Sequence, residues 1–105
     1  VCTAGVVGWD ETETFVSDDL PGQFAQALRN ILAIFAEDGA GPEHIVRMTC
    51  YVTDIVAYRA SLREIGEAWK ATIGRNYPAM ALVEVRSLVE PQALVEIEAT
   101  AVVPE

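Results

Sequence analysis

Basic side chains are scarce in this sequence. Its 105 residues include seven Lys and Arg against 16 Asp and Glu, which gives a formal net charge of −9. Proteins bind nucleic acids largely by neutralising phosphates with basic side chains. The composition therefore argues against a nucleic-acid partner.

Residues that bind metals or form disulfides are also few. The sequence has two cysteines, Cys2 and Cys50, and one histidine, His44. Two cysteines permit one disulfide at most, which does not describe a secreted, disulfide-stapled domain, so both are interpreted as small buried hydrophobic residues. No cluster of His, Cys and acidic residues has metal-ligand spacing, and we expect no metal site.

Long apolar runs are absent as well. None approaches the ~20 residues that a membrane span requires, and no signal peptide is recognisable. We therefore expect a cytoplasmic protein with no membrane partner. Yet 51% of the residues are hydrophobic, which is a large share for a chain that fills a single small domain. This excess favours a chain that covers part of its apolar surface with another subunit.

Hydrophobic periodicity predicts two helices. The first spans about residues 20–38; acids precede it, Pro21 suits its first turn, and "GAGP" at 39–42 ends it. The second begins after Asp54 and ends before "GRNYP" at 74–78. The apolar stripes are Phe24, Leu28, Ile31 and Phe35 in the first helix, and Tyr58, Leu62, Ile65 and Trp69 in the second.

Apolar segments between and after these helices predict strands at 45–52, 79–85 and 94–102, and a short strand pair is predicted before the first helix. On 45–52, alternation places Val46 on the helix-facing side and Ile45 on the other. Helices that connect strands of one sheet cross over it and here cover the same face. The predicted fold is α+β: a single mixed β-sheet with two helices packed on one face, in one domain spanning residues 1–105.

Carboxylates interrupt the two C-terminal strands. Glu84 lies in "ALVEV", and Glu96 and Glu98 lie in "LVEIEA". Alternation turns Glu96 and Glu98 away from the helices, and we expect Met80, Leu82 and Glu84 to face the same way. That face is too apolar for water and too charged for a dry core. We therefore expect it to contact sister subunits and to leave polar clefts between them.

The segment "YPAMALVEVRSLVEPQALVEIEATAV" (77–102) resembles the C-terminal signature of the RidA family, also called YjgF or endoribonuclease L-PSP. In that family a Pro-Ala-Arg-Ser stretch leads into a Val-Glu-Val strand, and the last strand reads close to Glu-Ile-Glu-Ala. "TAGVVG" (3–8) is similar to the family's Ser-Gly-Gln strand end, and "IVRMTCYVTD" (45–54) is similar to its third-strand segment. The resemblance covers the chain apart from an N-terminal family segment that this sequence is expected to lack.

This resemblance implies a chorismate-mutase-like subunit in a homotrimer, with a small-molecule ligand in each inter-subunit cleft. Active members are hydrolases that deaminate reactive 2-imino or 2-enamino acids to 2-keto acids and ammonia, without a metal or organic cofactor. Gly5 matches a glycine whose backbone borders the cleft, and Glu96 matches the acid that holds the attacking water. Leu82 falls where many members have a cysteine.

The family arginine that grips the substrate carboxylate falls on Met80. A guanidinium holds a carboxylate with two charged hydrogen bonds, and methionine offers none. The resemblance therefore implies an altered substrate preference, for an uncharged or bulkier imine or enamine. Arg75 and Arg86 are the alternative anchors. A non-catalytic trimer that binds a small metabolite or a protein is the alternative function.

Two further groups of charged residues have plainer interpretations. Glu84 and Glu98 are expected to be structural, paired with Arg47 or Arg86 across strands. The basic residues of the second helix, Lys70 among them, are expected to form a solvated face with local ion pairs.

Overall fold

The computed structural model describes residues 1–104. Its centre is a four-stranded sheet in the order β1-β4-β2-β3. The strands are β1 (Val6–Val7), β2 (Ile45–Val52), β3 (Ala79–Glu84) and β4 (Val95–Ala101). β2 and β3 run parallel, whereas β4 is antiparallel to β1 and to β2. The predicted α+β fold with a single mixed sheet is confirmed.

Aspartates begin both helical regions, as predicted. Asp19 caps α1 (Leu20–Ala36) and Asp54 caps α2 (Ile55–Ala60). Each carboxylate accepts a hydrogen bond from the backbone N–H three residues on, at 2.8 and 3.0 Å. These bonds satisfy N–H groups that have no partner inside the helix. The apolar stripe of α1 is buried and packs against β4 and the third helix.

The second predicted helix is divided at Ser61. α2 ends there and α3 (Leu62–Thr72) begins, because Ser61 has φ −111° and ψ 16°, outside the helical region. Ile65 and Trp69 still enter the core, but Leu62 is 57% exposed. The prediction of one continuous stripe is therefore wrong at Leu62. No helix within residues 1–104 is long and apolar enough to cross a membrane.

A β-bulge between Ile45 and Arg47 changes the start of β2. A bulge places two residues opposite one and reverses the alternation beyond it. Ile45 is therefore buried and Val46 is 46% exposed, the reverse of the prediction, while the rest of the strand alternates as expected. Cys50 is buried as predicted, and its burial raises the pKa of the thiol to about 12. Cys2 is exposed, which corrects its interpretation as a buried residue.

β3 presents the face opposite to the one predicted. Its parallel register pairs Met80 with Met48 and Leu82 with Cys50, and both β2 residues are buried beneath the helices. Directly paired residues point to the same side of a sheet, so Met80, Leu82 and Glu84 lie on the helix-covered side. The prediction was wrong because "AMALV" is apolar throughout, and no alternation marks its inner face. The uncovered side, hereafter the open face, carries Ala79, Ala81 and Val83 of β3.

Candidate functional site

Gly5 and Glu96 are in contact on the open face. Glu96 lies in β4, paired with Val7 of β1 on one side and Tyr51 of β2 on the other. A Cβ atom on Gly5 would lie 2.5 Å from Oε2 and 2.7 Å from Cδ of Glu96. Only glycine therefore lets the backbone pass this close to the carboxylate in its present position. The structure brings these two predicted site residues together.

The neighbouring carboxylate, Glu98, is already engaged. The Tyr51 hydroxyl donates a hydrogen bond to Glu98 Oε1 at 2.9 Å. This bond, some burial and the negative charges of Glu98 and Glu96 together raise the pKa of Tyr51. Glu96 is half-buried, and no protein group within residues 1–104 hydrogen-bonds to its carboxylate. Of the two acids, Glu96 is thus the one with oxygens open to a water molecule or a ligand.

Two shallow depressions border this contact, one lined by Glu96 and the other by Gly5. One, of about 290 Å³, is lined by Tyr51, Glu96, Glu98 and the loop that follows β3. The other, of about 390 Å³, lies against Gly5, Trp9 and Asn30. Val89, at the rim of the first, is fully exposed. A ligand beside Glu96 would remain open to solvent unless another surface covered it.

Met80 and Leu82 do not join this pair. Met80 lines a groove of about 410 Å³ on the helix-covered side, at the β3 edge of the sheet. Leu82 packs against the hydrophobic core. We call this the Met80 groove; its lining is Phe24, Tyr58, Leu62, Ile65, Gly66, Trp69, Lys70, Tyr77, Pro78 and Met80. Within one chain, the sheet separates Met80 from Glu96.

The alternative anchors lie elsewhere. Arg75 and Arg86 are exposed and line neither the groove nor the two depressions near Gly5. Lys70, which was expected on a solvated face, borders the Met80 groove. A signal was present: Leu62, Gly66 and Lys70 recur every four residues and so form one row on α3. Gly66 leaves a notch in that row.

Glu84 and Glu98, the two acids expected to be structural, have partners other than those predicted. Glu84 accepts a hydrogen bond from the backbone N–H of Ile55 at 3.0 Å, at the start of α2, and Glu98 binds Tyr51. Within residues 1–104, neither forms the predicted ion pair with Arg47 or Arg86. In the same described part, no group of three or more His, Cys, Asp or Glu residues has the geometry to hold a metal ion.

Comparison with known proteins gives consistent matches. The family model described as "Endoribonuclease L-PSP" matches residues 1–103. A "RutC family protein" of Haemophilus influenzae is 33% identical over 97% of this chain and 78% of that protein. The 2-iminobutanoate/2-iminopropanoate deaminase of Salmonella typhimurium is 32% identical over the same shares.

The solved structures give the same result for the fold. Rv2704 of Mycobacterium tuberculosis, a member of the YjgF/YER057c/UK114 family, superposes with a TM-score of 0.79 at 37% identity. The match covers 97% of this chain and 77% of that one.

Proposed function

Since the chain belongs to the endoribonuclease L-PSP family, we propose that it is an imine or enamine hydrolase. In the proposed reaction, water adds to the carbon of a C=N bond, the C–N bond then breaks, and ammonia and an oxo compound are released. An enamine first takes a proton on carbon to become the imine. The single observation that carries this proposal is the contact between Gly5 and the Glu96 carboxylate, which accepts no hydrogen bond from any described residue.

Glu96 acts in this proposal as the general base. Its oxygens hold the attacking water and accept one proton as the water oxygen bonds to the imine carbon. The same carboxylic acid then returns that proton to the nitrogen, which gives a carbinolamine. In the second step Glu96 takes the proton of the new hydroxyl group and passes it to the nitrogen as the C–N bond breaks, so that ammonia leaves and the oxygen remains as the carbonyl. Positioned proton transfer of this kind contributes about 10²–10⁴-fold to a rate. Gly5 supports it because a side chain there would occupy the space of the carboxylate.

The proposed cleft needs two copies of the chain. Met80 and Glu96 lie on opposite sides of one sheet, so a site that contains both takes each from a different subunit. The two patches differ, and their contact is therefore heterologous, which generates a closed ring when the rotation permits. We propose that the ring is a homotrimer. The exposed apolar side chains that support burial in such contacts are Val46, Val83, Val89 and Val102.

Met80 gives the proposed cleft an apolar wall where the family arginine is expected. It cannot replace the charged hydrogen bonds of a guanidinium to a small 2-imino acid. The groove around it offers apolar contact instead, so we propose a bulkier substrate than the small imino acids named for the Salmonella relative. Cleavage of RNA is the weaker alternative, since the charge of −9 repels a polyanion.

Ammonia release tests the proposal. Imines generated in situ from a panel of amino acids are offered to the wild type and to Glu96→Gln, which keeps the shape of the side chain but removes the base. We expect Glu96→Gln to lose at least ~100-fold in rate. Glu98→Gln is the matched control, from the same strand and the same face, and it should retain most of the rate. Equal rates for the wild type and Glu96→Gln would refute the mechanism.

A second candidate function is favoured by one observation, the apolar character of the Met80 groove. A trimer without catalysis could hold a small metabolite there, or bind a protein, with no need for the arginine. Ligand-induced thermal stabilisation without ammonia release from any imine would support this candidate over the hydrolase.

A further inference from the structure

The Met80 groove combines aromatic walls with a single charge. Trp69 forms part of the wall and is 9% exposed, and its ring is fixed because Nε1 donates a hydrogen bond to the Asn76 carbonyl oxygen at 3.2 Å. Tyr58 and Tyr77 add aromatic surface, and Met80 adds a polarisable thioether, which packs well against rings. The groove volume of about 410 Å³ lies in the range of small-molecule sites.

Among the described residues, Lys70 is the only charged one that lines this groove, and it is the only lysine in the sequence. Within residues 1–104 it forms no ion pair, whereas Arg63 on the same helix pairs with Glu67 at 3.5 Å. In the part of the chain that the structure describes, no carboxylate lines the groove. In a chain with a net charge of −9, this is therefore a local position where an anion is attracted.

We infer that the Met80 groove takes an aromatic carboxylic acid, with the ring between Trp69 and Met80 and the carboxylate on Lys70. A lysine side chain lays its methylene groups along apolar surface and keeps its ammonium in water. Lys70 thus reaches the rim without burying its charge, and the carboxylate it holds also stays hydrated. The aromatic ring of the ligand provides the apolar contact area, and the pair of its carboxylate with Lys70 fixes the orientation of the ligand in the groove.

This inference rests on the proposed function, because it assigns the groove to the carbon skeleton of the substrate. It names the substrate class as 2-imino acids with an aromatic side chain, and it names Lys70 as a specificity-determining residue. Arg75 and Arg86 have no part in it, since neither lines the groove.

Calorimetric titration without turnover tests the assignment. The probes are 3-phenylpropanoate, its neutral amide 3-phenylpropanamide, and propanoate, which lacks the ring. The variants are Lys70→Gln, Lys70→Arg and the matched control Arg75→Gln, which removes one positive charge outside the groove. All are exposed substitutions that should leave the fold intact.

We expect the wild type to bind 3-phenylpropanoate at least tenfold more tightly than propanoate. Lys70→Gln should weaken that binding about tenfold, the loss of one charged hydrogen bond. Lys70→Arg and Arg75→Gln should stay within about threefold of the wild type, and affinity for the amide should not depend on Lys70. Any of three results would overturn the inference. The wild type and Lys70→Gln could bind 3-phenylpropanoate equally tightly, the wild type could bind 3-phenylpropanoate and propanoate equally tightly, or no probe could bind at all.

The two proposals fail separately. If Glu96→Gln is inactive but Lys70→Gln binds like the wild type, the hydrolase stands and the role of Lys70 is refuted. If Glu96→Gln retains full activity while Lys70→Gln loses affinity, the mechanism is refuted and the anion site stands.

Discussion

Because Gly5 has no side chain, the Glu96 carboxylate can lie directly against its backbone. The backbone passes so close to Glu96 that one added carbon would occupy the space of the Oε2 atom. Glu98, two residues along the same strand, is held by Tyr51, so the two acids have different surroundings although the sequence presents them alike. The contact with Gly5 and the absence of a hydrogen bond to Tyr51 therefore distinguish the proposed base, Glu96, from its neighbour Glu98.

We predict that Gly5→Ala displaces the Glu96 carboxylate. Since the obstructing atoms are the end of a flexible side chain, Glu96 moves at little cost, and the free energy of unfolding should change by less than about 1 kcal/mol. Imine hydrolysis should fall at least tenfold, because a base displaced by about 1 Å loses its geometry. Ammonia release and urea denaturation measure the two effects.

Gly41→Ala is the matched control for this prediction. A Cβ at Gly41 would lie 2.7 Å from both carboxylate oxygens of Glu43, a similar clash with an exposed side chain away from the proposed site. It should leave activity unchanged. Full activity in Gly5→Ala would show that the contact with Glu96 has no catalytic consequence.

At the scale of elements, cross-strand pairs join β2 to β4 on the open face. Tyr51 of β2 donates to Glu98 of β4, and Glu96 lies directly opposite Tyr51 in the register. These groups raise the pKa of Tyr51 because a phenolate would lose the hydrogen bond and face two negative charges. The folded protein therefore favours the neutral phenol more strongly than the unfolded chain does.

The stabilising effect of this pair should depend on pH. A folded-state pKa above the unfolded value of about 10 gives stability that is fully present below pH ~10 and lost as the pH rises through the folded value. We predict that Tyr51→Phe loses less stability in alkaline solution than the wild type. Urea denaturation at neutral pH and above pH ~10 measures this difference.

Glu98→Gln removes the accepting charge and should reduce the alkaline loss in the same direction. The burial-raised pKa of Tyr58 is common to all three proteins and does not alter the comparison. An identical alkaline loss in the wild type and Tyr51→Phe would contradict the assigned pair.

At the scale of the whole molecule, the residues proposed to share a cleft lie on two different sides of one chain. Glu96 and Gly5 lie on the open face, and the Met80 groove lies beneath the helices at the sheet edge. A sheet blocks any direct path between them, so a shared cleft depends on assembly. The exposed apolar side chains of the open face are consistent with a surface that another copy covers.

We predict that Val83→Glu dissociates the proposed trimer. Val83 is 43% exposed and faces outward beside Tyr51, so the single chain accommodates a glutamate with a change in unfolding free energy of about 0.5 kcal/mol or less. In an assembled ring the added charge would be buried near Glu96 and Glu98, which repel it. Sedimentation velocity at micromolar concentration measures the change in mass.

Val16→Glu is the matched control. Val16 is 53% exposed in the loop before α1, and its replacement by glutamate adds the same negative charge there. It should sediment like the wild type. A wild type that sediments as a single chain, or a Val83→Glu variant of unchanged mass, would refute the assembly.

Local sequence patterns determined much of this protein. The period of Phe24, Leu28 and Ile31 marked α1, and the strict alternation around Glu96 and Glu98 oriented β4. Each pattern contrasts polar with apolar residues inside one segment, and burial follows that contrast directly. The family signature gave Gly5 and Glu96 as site residues, and the structure places them in contact.

Tertiary structure alone decided the side of β3, the exposure of Leu62, and the grouping of Lys70 with Met80. An apolar strand such as "AMALV" fits either face, so its direction depends on the parallel register with β2, from which a helical crossover separates it. The division at Ser61 likewise sets α3 apart from α2 and leaves α3 packed against α1, an element distant in sequence. These features arise from hydrogen bonds and packing between segments distant in sequence, which no local periodicity records.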